Sequence, residues 1–170
     1  MGLTASQIRQ DINCFGGFGR QGYGYGVSDL RSHIGHIMGV DEKHSMIILG
    51  AGNIGRAVAL ADSFPQNGFE TVAVFDTSAS CIGMQLGDLI VQDAADVERY
   101  LGENTVDIAV LALPKSCAQQ TADLLYRCGI RGFWNFAPLD LKLSRDASVV
   151  NVHLDEGLEV LSFRMKHIDP

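Results

Sequence analysis

Apolar and polar positions recur along this chain with two different periods, and the change between them divides it. Near the front, Ala5, Ile8, Ile12 and Phe15 fall at helical spacing, with Ser6, Arg9, Gln10 and Asn13 on the opposite face. Thr4 and Gln7 form the T-x-x-Q capping box that starts such a helix. The run FGGFGRQGYGYGV follows, holding six glycines between Gly16 and Gly26, and predicts a hairpin with its tip at Arg20, Gln21 and Gly22. A second helix is expected over Val27 to Gly39, capped by Ser28, with Leu30, Ile34, Ile37 and Met38 at helical spacing. Val40 to Ser45 reads as a polar joint.

From Met46 onward the pattern becomes short apolar runs alternating with helical stretches. MIILG, TVAVFD and DIAVLAL read as buried strands, with GFWNF and SVVNV as two further candidates and a weaker one around Gly87 to Gln92. Helices are expected over Asn53 to Ser63, Ala94 to Leu101 and Ser116 to Cys128. Strands that are apolar on both faces and separated by helices predict an α/β fold with a parallel sheet covered on both sides. The tail LDEGLEVLSFRM predicts a last amphipathic helix, with Leu158, Leu161 and Met165 along one side.

Composition narrows the class. The chain has 170 residues, 46% of them apolar, which is enough for a real core. No apolar run approaches the roughly 20 residues of a membrane span, and Met1 leads into polar residues rather than a signal peptide, so a soluble cytoplasmic protein is expected. The net charge of −7 argues against nucleic-acid binding over the whole surface. That charge is uneven: residues 1–31 carry three arginines against two aspartates, and the rest carries 10 basic against 18 acidic residues. A polyanion would therefore be met by the front. Cys14, Cys81, Cys117 and Cys128 show no metal-ligand spacing and read as buried or half-buried thiols, and no metal is expected.

The candidate chemistry lies in MIILGAGNIGRAVALA. Gly50, Gly52 and Gly55 form G-x-G-x-x-G between a buried strand and a helix, the context that gives this motif its value. Gly50 would make the tight turn, Gly52 would let backbone approach a pyrophosphate, and Gly55 would permit close helix–strand contact. Asp76, twenty-one residues after Gly55, ends the second strand, where its carboxylate can accept from both ribose hydroxyls and repel a 2′-phosphate. The expected cofactor is NAD(H) rather than NADP(H). A catalytic residue is not evident. His33, His36, His44 and His167 read as solvated or packing groups, His153 has no evident partner, and Lys115 reads as a loop lysine. The sheet also leaves no separate substrate domain, so a sensor is favoured over a small dehydrogenase.

The front helix presents Arg, Gln and Asn, the side chains that read base edges in a major groove. A polar helix followed by a β-ribbon matches the second half of a winged helix, and equally a polar amphipathic helix with a flexible hairpin. TASQIRQD, FGGFGRQGYGYGV, GAGNIGRA, VAVFD, LALP and WNFAP, in that order, resemble the Rex family of NADH-sensing transcriptional repressors over nearly the whole chain. The resemblance implies a homodimer of winged-helix and Rossmann domains with a C-terminal helix swapped onto the partner. It implies a partial winged helix over 1–27, a connector helix over 28–44, a Rossmann NAD(H)-binding domain over 45–153 and the swapped helix over 154–170. It places Ser6, Arg9, Gln10, Arg20 and Tyr23 on operator DNA. Gly50, Ala51, Gly52, Asn53, Ile54, Gly55 and Asp76 would hold the adenosine and pyrophosphate, and Leu113, Pro114, Asn135 and Phe136 would border the nicotinamide.

The expected function is a redox-sensing repressor that releases operator DNA when NADH is bound. A pocket end built from Leu113, Phe136 and Phe163 would disfavour the cationic oxidised ring. Three departures stand against the family pattern. The first two helices of the winged helix are not in the sequence, leaving Ile8, Ile12 and Phe15 without the surface they would bury against at ~1.5–3 kcal/mol each. Ala61 stands where the family commonly has tyrosine, and His153 where it commonly has aspartate. A NAD(H)-binding regulatory protein that has lost DNA binding through N-terminal truncation therefore stays open as the alternative.

Overall fold

The computed structural model describes residues 4, 6, 7, 10, 19–20, 24–39 and 42–167. It divides into two units, Met1–Glu42 and Lys43–Pro170.

In the first unit, Ser6, Gln7 and Gln10 are helical. The capping box forms as expected: Gln7 Oε1 accepts from the Thr4 amide and hydroxyl, both at 3.0 Å, and the Gln7 amide donates back to Thr4 Oγ1 at 3.3 Å. Strands β1 (Gly19–Arg20) and β2 (Gly24–Tyr25) pair antiparallel, with Gly19 opposite Tyr25 and Arg20 opposite Gly24. The hairpin is therefore present, and Arg20 belongs to its first strand rather than its tip. Helix α1 spans Val27–Met38. Its N-cap is Gly26, not Ser28, and no side chain caps it. Gly39 ends it in the left-handed conformation at φ 65°, with its N–H directed to the carbonyls of Gly35 and His36.

The second unit is built on a seven-stranded sheet in the order β5-β6-β4-β3-β7-β8-β9. Its strands are β3 (His44–Leu49), β4 (Phe69–Asp76), β5 (Gln85–Leu86), β6 (Leu89–Asp93), β7 (Ile108–Leu111), β8 (Gly132–Asn135) and β9 (Ser148–Asn151). All pairings are parallel except that of the short edge strand β5 with β6. The central strands are buried on both faces, as their unbroken apolar runs require: Met46, Ile47, Ile48 and Leu49 are each at most 2% exposed. At the far edge β9 alternates exposed and half-buried positions, the pattern of a strand covered on one side.

The expected helix over Asn53 to Ser63 is two helices, α2 (Asn53–Ala59) and α3 (Ser63–Gln66). The first ends where Leu60 and Ala61 donate to the carbonyls of Arg56 and Val58. A 3-10 turn at Ala94–Asp96 leads into α4 (Val97–Glu103), and Pro114 opens α5 (Lys115–Arg127). One sheet face carries α4 and α5. There Ala118 and Ala122, both fully buried, let α5 approach the sheet at Phe75 and Leu111, with Leu125 of the same helix also fully buried. The other face carries Val58 and the half-buried Phe64 over Ile48 and Val74. Over β8 that face is met by Phe64 of α3, edge-on to Trp134 with 5.5 Å between ring centroids. A trough of about 370 Å³ remains there, lined by Phe64, Phe69, Ile108, Trp134 and Val150 among others. Helix α6 (Glu156–Lys166) closes the unit, and every residue from 154 to 167 is exposed. The expected single apolar stripe is broader than Leu158, Leu161 and Met165, because Val160 and Phe163 are also more than half exposed.

After β8 the chain turns through a loop without a helix, and one buried side chain organises it. Asn135 is fully buried. Its Nδ2 donates to the Leu139 carbonyl at 2.7 Å and to Asn151 Oδ1 at 2.9 Å, while its Oδ1 accepts from the Ala137 amide at 3.1 Å. Removing a partner from such a satisfied group strands the others away from water. Asn135→Ala is expected to lower the unfolding free energy by about 1–3 kcal/mol, read from the urea midpoint. A midpoint equal to that of the unmodified protein would show that the loop holds without the amide.

Candidate functional site

Strand order reverses between β3 and β7: the chain steps outward through β4 and β6, then returns and steps the other way through β8 and β9. In parallel α/β sheets the crevice at that reversal, beyond the carboxyl ends of the strands, is where ligands bind. The glycine motif lies there. Gly50 follows β3 at φ 100°, and a Cβ on it would collide with the Ala112 carbonyl oxygen after β7. Gly55 is buried in α2, and a Cβ there would collide with the Gly50 carbonyl oxygen. Gly52 differs from both: its φ is −72°, and an added Cβ would meet nothing within 4 Å.

The three glycines thus divide as their spacing predicts. Two are required by backbone contacts inside the protein, and the third leaves main chain open at the mouth of the crevice. Gly52 is the N-cap of α2 and no side chain caps it. Amides at such an uncapped helix start, next to open space, suit a pyrophosphate. This donor set and the vacant contour at Gly52 fit a dinucleotide.

Asp76 ends β4 beside this loop. Its Oδ2 accepts from the Ala51 amide at 2.6 Å and its Oδ1 from the Ser78 amide at 2.7 Å. The carboxylate therefore ties the end of one strand to the glycine loop of the next, and each oxygen keeps lone pairs for further donors. Ala51 is fully buried, Ile54 half-buried against the core, and Asn53 exposed. Arg56 is a neighbour the motif reading did not single out. Its guanidinium reaches Asn53 Oδ1 at 3.3 Å and the Gly52 carbonyl at 3.4 Å, placing a cation at the loop. The position one residue past the third glycine, a turn above the helix start, was the available signal.

Leu113 and Pro114 follow β7 and lead into α5, so they stand at the same end of the sheet as the glycine loop. Leu113 is half-buried and Pro114 exposed. Phe136 follows β8, donates its amide to the Leu111 carbonyl at 2.9 Å, and stacks at a tilt on Trp134 with 4.6 Å between centroids. Asn135 is adjacent, but its amide is turned into the loop and taken up by the bonds described above. Ala61 lies past the end of α2, half-buried. His153, which lacked an evident partner in sequence, pairs through Nε2 with Asp140 Oδ1 at 3.0 Å. That bond raises its proton affinity, and the nearby Glu156 and Asp155 carboxylates add to the effect.

Among the described residues no group of His, Cys, Asp and Glu is placed to hold a metal ion, and no helix is long and apolar enough to cross a membrane. Cys81, Cys117 and Cys128 are half-buried free thiols, and burial raises the proton affinity of Cys128. Cys14 lies outside the described residues. Of the side chains expected on DNA, Ser6 and Gln10 are exposed and helical. Arg9, Tyr23 and the side chain of Arg20 lie outside the described residues.

Residues 41–139 match the family described as CoA binding domain. The redox-sensing transcriptional repressor Rex of Thermoanaerobacter sp. (strain X514) is 47% identical over 165 residues, covering 97% of this chain and 74% of that protein. Its counterpart in Clostridium tetani is 46% identical, covering 97% and 78%. Among solved structures, the Rex-family repressor RSP in complex with β-NAD⁺ and operator DNA superposes with a TM-score of 0.92 at 46% identity, covering 98% of this chain and 77% of that one. RSP in complex with β-NADH gives 0.86 at 43% identity, with 98% and 77% covered. With a glycine-loop crevice at the sheet reversal and relatives this similar over nearly its whole length, the chain belongs to the Rex family of redox-sensing transcriptional repressors.

Proposed function

We propose that this protein is a repressor that binds NAD(H) in the glycine-loop crevice and releases operator DNA when the reduced cofactor is bound. The observation that carries this reading is the open contour at Gly52, beside Asp76 and at the sheet reversal. The glycine-loop amides and Arg56 would meet the pyrophosphate, and Asp76 would accept from the adenosine ribose while repelling a 2′-phosphate. Leu113, Pro114 and Phe136 would border the nicotinamide end. The bound cofactor supplies a ring that is cationic when oxidised and neutral when reduced. An apolar border disfavours the cation, because burying an unpaired charge is costly. The protein reads the cofactor rather than turning it over.

The response needs a second copy. An 11-residue helix is marginal in water by itself. Helix α6 and the residue before its cap expose Leu154, Leu158, Val160, Leu161, Phe163 and Met165, each more than half exposed. A homodimer in which this helix docks on the partner gives those side chains cover, and differential NADH affinity for one arrangement of the two copies would shift its population. The front helix, with Ser6, Arg9 and Gln10, and the hairpin, with Arg20 and Tyr23, would meet the operator.

Two outcomes test the reading. Gly52→Val is expected to weaken NADH binding by at least about tenfold with its melting temperature unchanged, because the side chain enters open space. Gly55→Val is expected instead to destabilise the fold by about 2 kcal/mol or more. Equal NADH titration curves for Gly52→Val and the unmodified protein would move the cofactor elsewhere. Operator binding, followed by fluorescence anisotropy, is expected with NAD⁺ and lost with NADH, and to weaken at least about tenfold between roughly 50 and 200 mM salt. Binding that ignores the cofactor's redox state would remove the proposed switch.

A further inference from the structure

Past Asn151 the chain leaves the sheet, and very few groups hold it. The Val152 amide donates to the Asn135 carbonyl at 2.8 Å, the last main-chain bond to the sheet domain. His153 then bonds Asp140, and among the described residues no side chain beyond it bonds the sheet domain. Among the described residues from Asp155 onward, the main chain bonds only within α6 and its caps, beginning with Leu158 and Glu159, which donate to the Asp155 carbonyl at 2.9 and 3.1 Å. The imidazole is thus the final tie between the domain and the root of α6.

Its partner is held in place from both sides. Asp140 lies between Leu139, whose carbonyl accepts from Asn135, and Leu141, which is buried and whose amide donates to Asn151 Oδ1 at 3.5 Å. The carboxylate therefore stands on the loop that begins at Phe136, next to the strand end read above as the nicotinamide border. The charges acting on His153 are Asp140 from that loop and Glu156 and Asp155 from the start of α6, all acidic. Protonated, the ring is a cation beside the exposed Asp140 carboxylate and near two carboxylates of the helix root. Neutral, it keeps at most a hydrogen bond without charge.

We propose that the His153–Asp140 pair is a proton-sensitive latch that fixes the root of α6 to the 136–147 loop, so that the response of operator binding to NADH depends on pH. This rests on the reading that α6 docks on a partner copy and that Phe136 borders the nicotinamide. His153 acts here as a positioning residue and touches no cofactor. Its proton affinity is raised in the folded chain, so the latch is fully closed below the ordinary imidazole range near pH ~6.5 and opens as pH rises through the raised value.

The test compares the full chain with His153→Gln and Asp140→Asn in two measurements. By NMR, the His153 ring is expected to titrate above the ordinary imidazole range, and Asp140→Asn to return it there. Protection of the Leu158 and Glu159 amides, corrected for intrinsic exchange, is expected to fall about threefold between roughly pH 6 and 8 in the unmodified protein and to stay flat in His153→Gln. A ring that titrates normally, or protection that changes equally in both, overturns the latch. In operator binding, the NADH concentration that halves the signal is expected to shift about threefold over the same range and not in His153→Gln. A shift shared by the variant overturns the regulatory step. Absence of operator binding at every pH would instead count against the repressor reading, and the NMR measurement would still decide the latch.

Discussion

Everything at the site depends on how closely main chain can cross main chain at Gly50. Strands β3 and β7 are neighbours in register, Leu49 against Leu111, and the residues just past them must diverge to begin a loop on each side. At Gly50 they pass so closely that even a methyl group would collide with the Ala112 carbonyl, and α2 then lays Gly55 against the Gly50 carbonyl. A side chain at either position would push α2 off the sheet or part the strand ends. The open space at Gly52 exists because the other two glycines have drawn the surrounding backbone in. Asp76 completes the arrangement by bonding the Ala51 amide, which sets the height of the loop relative to the next strand.

The parts legible in the sequence were those whose physics is local. Buried parallel strands announce themselves as unbroken apolar runs, so all the larger strands were found, and the capping box at Thr4 and Gln7 needed only two residues in register. The turn at Gly50 and the close helix contact at Gly55 were legible because both follow from what the absence of Cβ permits. What escaped depends on chain reversals that spacing does not encode. The break after Ala59 splits a run with good helical periodicity, and Gly26 caps α1 although Ser28 has the better cap chemistry. Asn135 looked like a ligand-facing strand end, but its amide is committed to a loop whose course only the fold reveals. His153 could be given no partner because Asp140 lies thirteen residues earlier and meets it only across that loop.

The two faces of the sheet explain why such a domain suits sensing. One face is closed by α4 and α5 over a dry core; the other is closed only near α2 and α3, leaving Trp134 and Val150 beside an apolar trough. An apolar trough and an exposed apolar helix within residues 43–167 are each unfavourable in water. Both are relieved by association, since apolar area leaving water is the dominant favourable contribution to most interfaces. In the homodimer proposed above, each copy's stability would include its neighbour's position, so a small ligand that alters the crevice could alter the assembly.

For that coupling to work, the path from crevice to α6 must be stiff in one part and adjustable in another. The stiff part is the Asn135–Asn151 network: centred on a fully buried amide and without a charge to titrate, it holds the loop after β8 to the end of β9. The adjustable part lies two residues further on, where an imidazole 24% exposed meets a carboxylate 75% exposed. At such a site solvent screening keeps the pair weak. A weak tie is what a switch requires here, because a strong one would fix α6 in one place and leave the cofactor nothing to move. An imidazole at this position puts the tie under proton control. The ring's location, outside the crevice and at the last attachment point of the helix, lets it tune the response without altering the cofactor site.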